Sequence, residues 1–67
     1  MIKKLKNKIY ELRISRNMTQ EELAVAAGVT RQTIIAIEKG NYTPSVALAI
    51  SFAKIFSLSV EEIFWYN

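Results

Sequence analysis

A chain of 67 residues, 51% of them apolar, is long enough for one domain and too short for two. It has no cysteine and no histidine, and all six acids are glutamates, so neither a disulfide, a metal nor a cofactor is expected to staple it. A core this small must then be held by tight helix packing or by a second copy. The net charge of +3 suits a polyanionic partner.

In chain order, Asn7 is placed to cap a first helix running to about Arg16, with Ile9, Leu12 and Arg13 on its inner face by i, i+3, i+4 spacing. "TQEE" (Thr19 to Glu22) is a capping box and opens a second helix ending near Ala26 or Ala27. Gly28 follows, with Val29 as an apolar plug, and Thr30 caps a third helix that runs to about Lys39 and stops at Gly40. In the loop "NYTPS", Thr43 is the expected cap of a fourth helix, with Pro44 at its first position, reaching about Phe56. "SVEE" (Ser59 to Glu62) is a second capping box and opens a short fifth helix to about Ile63. The expected fold class is a compact all-α domain of five helices. The chain ends, Lys3 to Lys6 and Phe64 to Tyr66, are candidates for a small two-stranded antiparallel ribbon.

Lys3, Lys4, Lys6, Lys8, Arg13 and Arg16 crowd the first seventeen positions, opposed there only by Glu11. By itself such a run most often marks a solvated face. No secretory h-region follows it, and the greasiest stretch, Val46 to Ala53, is too short for a bilayer. The expectation is a cytoplasmic protein with no membrane partner.

The third helix carries the functional signal. At about 100° per residue, Ile34 and Ile37 define a buried stripe, and Arg31, Gln32, Ile35, Ala36 and Lys39 cluster on the opposite side. Ala24 is small where two helices would cross, and Gly28 sits where a positive φ costs least. Gln20, Ala24, Gly28, Val29, Ile34 and Ile37 thus form one ordered set over eighteen residues. With the phrases "MTQEELA", "GVTRQTI" and "IEKGNYTPS", the chain resembles the helix-turn-helix of the Xre/Cro-repressor family over essentially its whole length.

The resemblance implies a lambda-repressor-like domain whose helix from Thr30 to Lys39 enters the major groove of double-stranded DNA. Arg31 and Gln32 would read bases, arginine on guanine and glutamine on adenine, with Ile35 against a thymine methyl and Ala36 leaving room for close approach. Gln20, Thr30, Thr33, Lys39, Asn41 and Tyr42 would contact phosphates, and Arg16 a flanking one. For Tyr42, packing over the loop is an equal alternative. Arg13 and Glu38 are expected to form a structural salt bridge between the first and third helices.

The fourth helix, "PSVALAISFAKIF", is more apolar than one face needs. Val46, Ala49, Phe52, Ala53 and Phe56 fit an inner stripe. Leu48, Ile50 and Ile55 are left over, and with Phe64, Trp65 and Tyr66 they make a second apolar surface, the expected homodimer interface. The function expected is that of a homodimeric transcriptional repressor reading an inverted repeat, with no small-molecule ligand indicated. The alternative is an antitoxin or adaptor whose apolar surface holds another protein. An enzyme is disfavoured, because without Cys, His or Asp the common nucleophile–base pairs are missing.

Overall fold

The computed structural model describes residues 3–67. Its elements, in order, are β1 (Leu5–Asn7), α1 (Ile9–Ser15), α2 (Gln20–Ala27), α3 (Arg31–Glu38), α4 (Val46–Phe56), α5 (Val60–Ile63) and β2 (Phe64–Tyr66). Five helices surround one core, and the two strands close the chain ends against each other. No helix among the described residues is long and apolar enough to cross a membrane.

The core follows from the helical periods. Ile9, Leu23, Ile34, Ile37, Phe52 and Ile63 are wholly buried, one or more from each helix. Each such side chain contributes about 1.5–3 kcal/mol relative to exposure. Phe52 also meets Phe64 across the α4–β2 contact, their ring centroids 6.1 Å apart and tilted by 41°.

The ribbon is antiparallel, pairing Leu5 with Tyr66, Lys6 with Trp65 and Asn7 with Phe64. Its first strand lies one to two residues later than Lys3 to Lys6, because Asn7 anchors it. The Asn7 amide donates to the Ile37 carbonyl at 3.0 Å, and its side-chain oxygen accepts the Ile9 N–H at 3.0 Å. One side chain therefore ties the strand to the end of α3 and holds the first N–H of α1, although the cap position itself falls on Lys8, one residue later than expected.

The start of α4 differs from the expectation. Ser45, not Thr43, is the cap, its hydroxyl accepting the Leu48 N–H at 3.1 Å, so Pro44 precedes the helix. The buried stripe of α4 is rotated accordingly. Leu48, expected at a subunit interface, is buried in the core with Ala49, Phe52 and Phe56, while Val46 is 77% exposed. Phe64 is likewise a core residue rather than an interface residue, since it packs on Phe52. Ile55 is half-buried against the same core. Trp65 and Tyr66 are exposed, but as neighbours on a strand they point to opposite faces and cannot share one flat surface.

Candidate nucleic-acid interface

Two helices and the turn between them build the site. At the head of α2, Thr19 and Glu22 form a reciprocal capping box: Thr19 Oγ1 accepts the Glu22 N–H at 3.0 Å, and Glu22 Oε1 accepts the Thr19 N–H at 2.8 Å. α2 ends at Gly28 in the left-handed conformation, φ 74°. The Val29 N–H then returns to the Ala24 carbonyl at 3.0 Å, turning the chain within two residues. Thr30 caps α3 by accepting the Thr33 N–H. Ala24, 1% exposed, lets the two helices approach closely.

This turn fixes how α3 is displayed. Ile34 and Ile37 are wholly buried, while Arg31, Gln32 and Lys39 are exposed and Ile35 and Ala36 half-buried. One flank of α3 thus presents two residues able to hydrogen-bond base edges, followed one turn later by an apolar one.

A polar chain braces that flank from behind. Arg13 Nε donates to Glu38 Oε2 at 2.7 Å and Arg13 Nη2 to Oε1 at 3.2 Å, while Nη1 donates to the Met18 carbonyl at 2.9 Å. Gln20 Nε2 donates to the same Oε1 at 3.2 Å, and Gln20 Oε1 accepts from Arg31 Nη2 at 3.3 Å. The hydrogen bond to Glu38 raises the Arg13 pKa above its already high ordinary value, outweighing burial, and the carboxylate charge of Glu38 acts in the same direction. Arg13 therefore stays charged. Gln20 spends one amide hydrogen on Glu38 and keeps the other, so it can hold Arg31 and still donate outward. Gln20, Arg13 and Arg31 line one open concavity of about 580 Å³ at the head of α2.

Around the same flank, the Thr30 and Thr33 hydroxyls lie 3.2 Å apart. Asn41 and Tyr42 are exposed in the loop after α3, Tyr42 at 46% rather than packed away. Arg16 sits elsewhere. Its Nη2 donates to the Phe56 carbonyl at 2.9 Å, and its guanidinium lies 5.7 Å from the Phe56 ring centroid. That side chain closes the carboxy end of α4, where unpaired carbonyls attract a cation, so part of its donor capacity is spent within the fold. The link from Glu38 through Gln20 to Arg31 was not legible from spacing, since its members lie on two helices and meet only through the turn.

The helix-turn-helix family model matches residues 9–63 of the chain. The HTH-type transcriptional regulator MJ0272 of Methanocaldococcus jannaschii is 55% identical over 63 residues, 94% of this chain and 96% of that protein. The HTH-type transcriptional regulator YgzD of Bacillus subtilis is 51% identical over 61 residues, 91% and 92% of the two chains. Among solved structures, the restriction-modification controller protein C.AhdI of Aeromonas hydrophila superposes with a TM-score of 0.72 at 26% identity, over 79% of this chain and 80% of its own.

Proposed function

The chain belongs to the helix-turn-helix family of DNA-binding transcriptional regulators, and from that premise we propose that it is a homodimeric repressor that reads an inverted repeat through α3. The observation that carries this reading is the division of α3, with Ile34 and Ile37 sealed in the core and Arg31 and Gln32 exposed at its first turn. In the major groove, Arg31 presents paired donors to guanine and Gln32 a donor and an acceptor to adenine. Ile35 lies one turn further, beside the small Ala36. Gln20, Thr30, Thr33, Lys39, Asn41 and Tyr42 surround this strip as phosphate donors that set the register.

A dimer is supported by the exposed apolar face of α4. Val46 and Ile50 are exposed and share one side of that helix, and joining two copies there would supply the burial that a domain of this size lacks by itself. Two-fold symmetry then calls for an inverted repeat with half-site centres about 10 bp apart. Repression requires nothing beyond occupancy of promoter DNA.

Selection of bound sites from random duplex DNA tests the reading. The expected product is a symmetric site with one helical turn between half-sites. Recovery of no enriched sequence, or of single unsymmetrical sites, overturns it.

A further inference from the structure

We propose that Lys4 and Lys6 of β1, together with Lys39 at the end of α3, form a second phosphate-binding surface that continues the duplex contact past the carboxy end of α3. This rests on the reading that α3 lies in the groove, and it assigns a role to the basic amino-terminal run.

Strand alternation makes the surface. Leu5 packs on the core and Asn7 reaches the Ile37 carbonyl, while the alternate residues Lys4 and Lys6 are exposed beside them. Lys4 does not trail into solvent: its stem lies over Gly40, where an added Cβ would stand 3.7 Å from Lys4 Cε and 3.9 Å from Nζ. The Lys4 ammonium is thereby carried to the turn that ends α3, beside Lys39. A cleft of about 180 Å³ runs between strand and helix end, lined by all three lysines.

The charge balance favours an anion there. Glu38 is the one carboxylate lining the cleft, and it is neutralised by Arg13 at 2.7 Å. That ion pair is the one found among the described residues, so the three ammonium groups are uncompensated. The carboxy end of α3 contributes about half a negative charge, which leaves more than two positive charges in excess. Lysines are point charges that grip phosphate without reading sequence. The occupant that fits is the backbone of the duplex already held by α3, because Lys39 belongs to both surfaces.

The test is the salt dependence of binding, measured on the duplex recovered by selection and on a scrambled duplex, for the parent and for the Lys4→Gln/Lys6→Gln variant. Two lost phosphate contacts make the slope of log K against log salt shallower by about 1.8, with affinity falling on both duplexes and thermal melting unchanged. A Lys4→Arg/Lys6→Arg variant restores the parent slope. An unchanged slope in the glutamine variant, with the parent still preferring the selected duplex, overturns this inference and leaves recognition by α3 standing. A loss confined to the selected duplex also overturns it, since phosphate contacts carry no sequence. Failure of the parent to bind either duplex removes both readings.

Discussion

Arg13 Nε lies 2.7 Å from Glu38 Oε2, with both side chains more than nine-tenths buried, and the pair locks α1 to the last residue of α3. Taking one partner away leaves a buried charge with too few donors or acceptors. Arg13→Met should lower unfolding free energy by about 3–5 kcal/mol, read from urea denaturation. The double replacement Arg13→Met with Glu38→Leu should recover most of that loss, because the stranded charge is gone. Equal stability of the single and double variants would contradict this account of the pair.

Arg31 is held by Gln20 at 3.3 Å, and Gln20 in turn by Glu38 at 3.2 Å. Arg31→Ala should cost about 1–3 kcal/mol of binding and relax preference at a single base pair. Gln20→Met leaves the arginine in place but unbraced. It should weaken binding to every duplex through the lost phosphate donor and broaden the preference at the Arg31 position. Competition titrations over single-base operator variants read both effects. If Gln20→Met leaves the base preference at that position as sharp as in the parent, the brace has no role in reading.

The contrast between α3 and α4 shows what the sequence makes legible. The α3 boundaries and faces could be read because Thr30 and Gly40 admit one register, and only Ile34 and Ile37 fit a buried stripe. In α4, "TPS" offers two hydroxyl caps, and proline favours the first helical position as a general preference. The competition is settled by the Ser45–Leu48 hydrogen bond and by the packing of Leu48. Neither can be seen in a helix that is apolar nearly all round, where periodicity loses its phase. The Arg16 contact with the end of α4 spans forty residues and has no local signature. Asn7 was legible as a residue that starts α1, where it accepts the Ile9 N–H from just before the cap position at Lys8, but its second bond, to Ile37, depends on the fold having formed.

Ser57 ends α4 in the left-handed region, φ 56°, with the Leu58 N–H returning to the Ala53 carbonyl at 3.0 Å. Its hydroxyl makes no hydrogen bond among the described residues, so the residue carries backbone strain with no visible return. Ser57→Gly should stabilise the fold by about 0.5–1 kcal/mol, the relief of strain exceeding the added freedom of the unfolded chain. Gly28, φ 74°, is the reverse case. A Cβ there would meet nothing within 4 Å, so Gly28→Ala should lose about 1 kcal/mol through its backbone alone. Each kcal/mol moves the midpoint of a thermal melt by about 4–8 °C in a domain of this size.

Glu62 closes the α5 capping box, with Oε1 accepting the Ser59 N–H at 2.9 Å. That backbone bond, then the Ser59 side chain and the charge of Lys8, hold the Glu62 pKa below its ordinary 4.5 against slight desolvation. A depressed carboxyl pKa means that the folded state binds its proton less readily than the unfolded chain. The stabilisation is therefore complete above about pH 4.5 and is lost as pH falls through the lower folded value. Glu62→Gln keeps a side-chain acceptor but cannot titrate. Its thermal melts should lose less stability than the parent's on going from neutral to acid pH. Parallel acid profiles would remove Glu62 from the account.

Val46 is 77% exposed and Ile50 46% exposed, and one turn of helix separates them, so they stand about 40° apart on the same side of α4. Ala47 flanks them, making a surface with little to recommend it to water. If that face joins two copies, Ile50→Glu places two like charges near the symmetry axis. The dimer dissociation constant should rise at least about tenfold, a cost of about 1.4 kcal/mol or more, and light scattering should show monomers at concentrations where the parent is dimeric. Because Ile50 lies outside the core, thermal melting at low protein concentration should change little, and Val46→Glu should behave alike. Binding to a single half-site should survive, while affinity for the full inverted repeat falls. A parent chain that is monomeric without DNA, together with an Ile50→Glu variant that binds the full repeat as tightly as the parent, would assign the face to a different protein partner, as an adaptor requires.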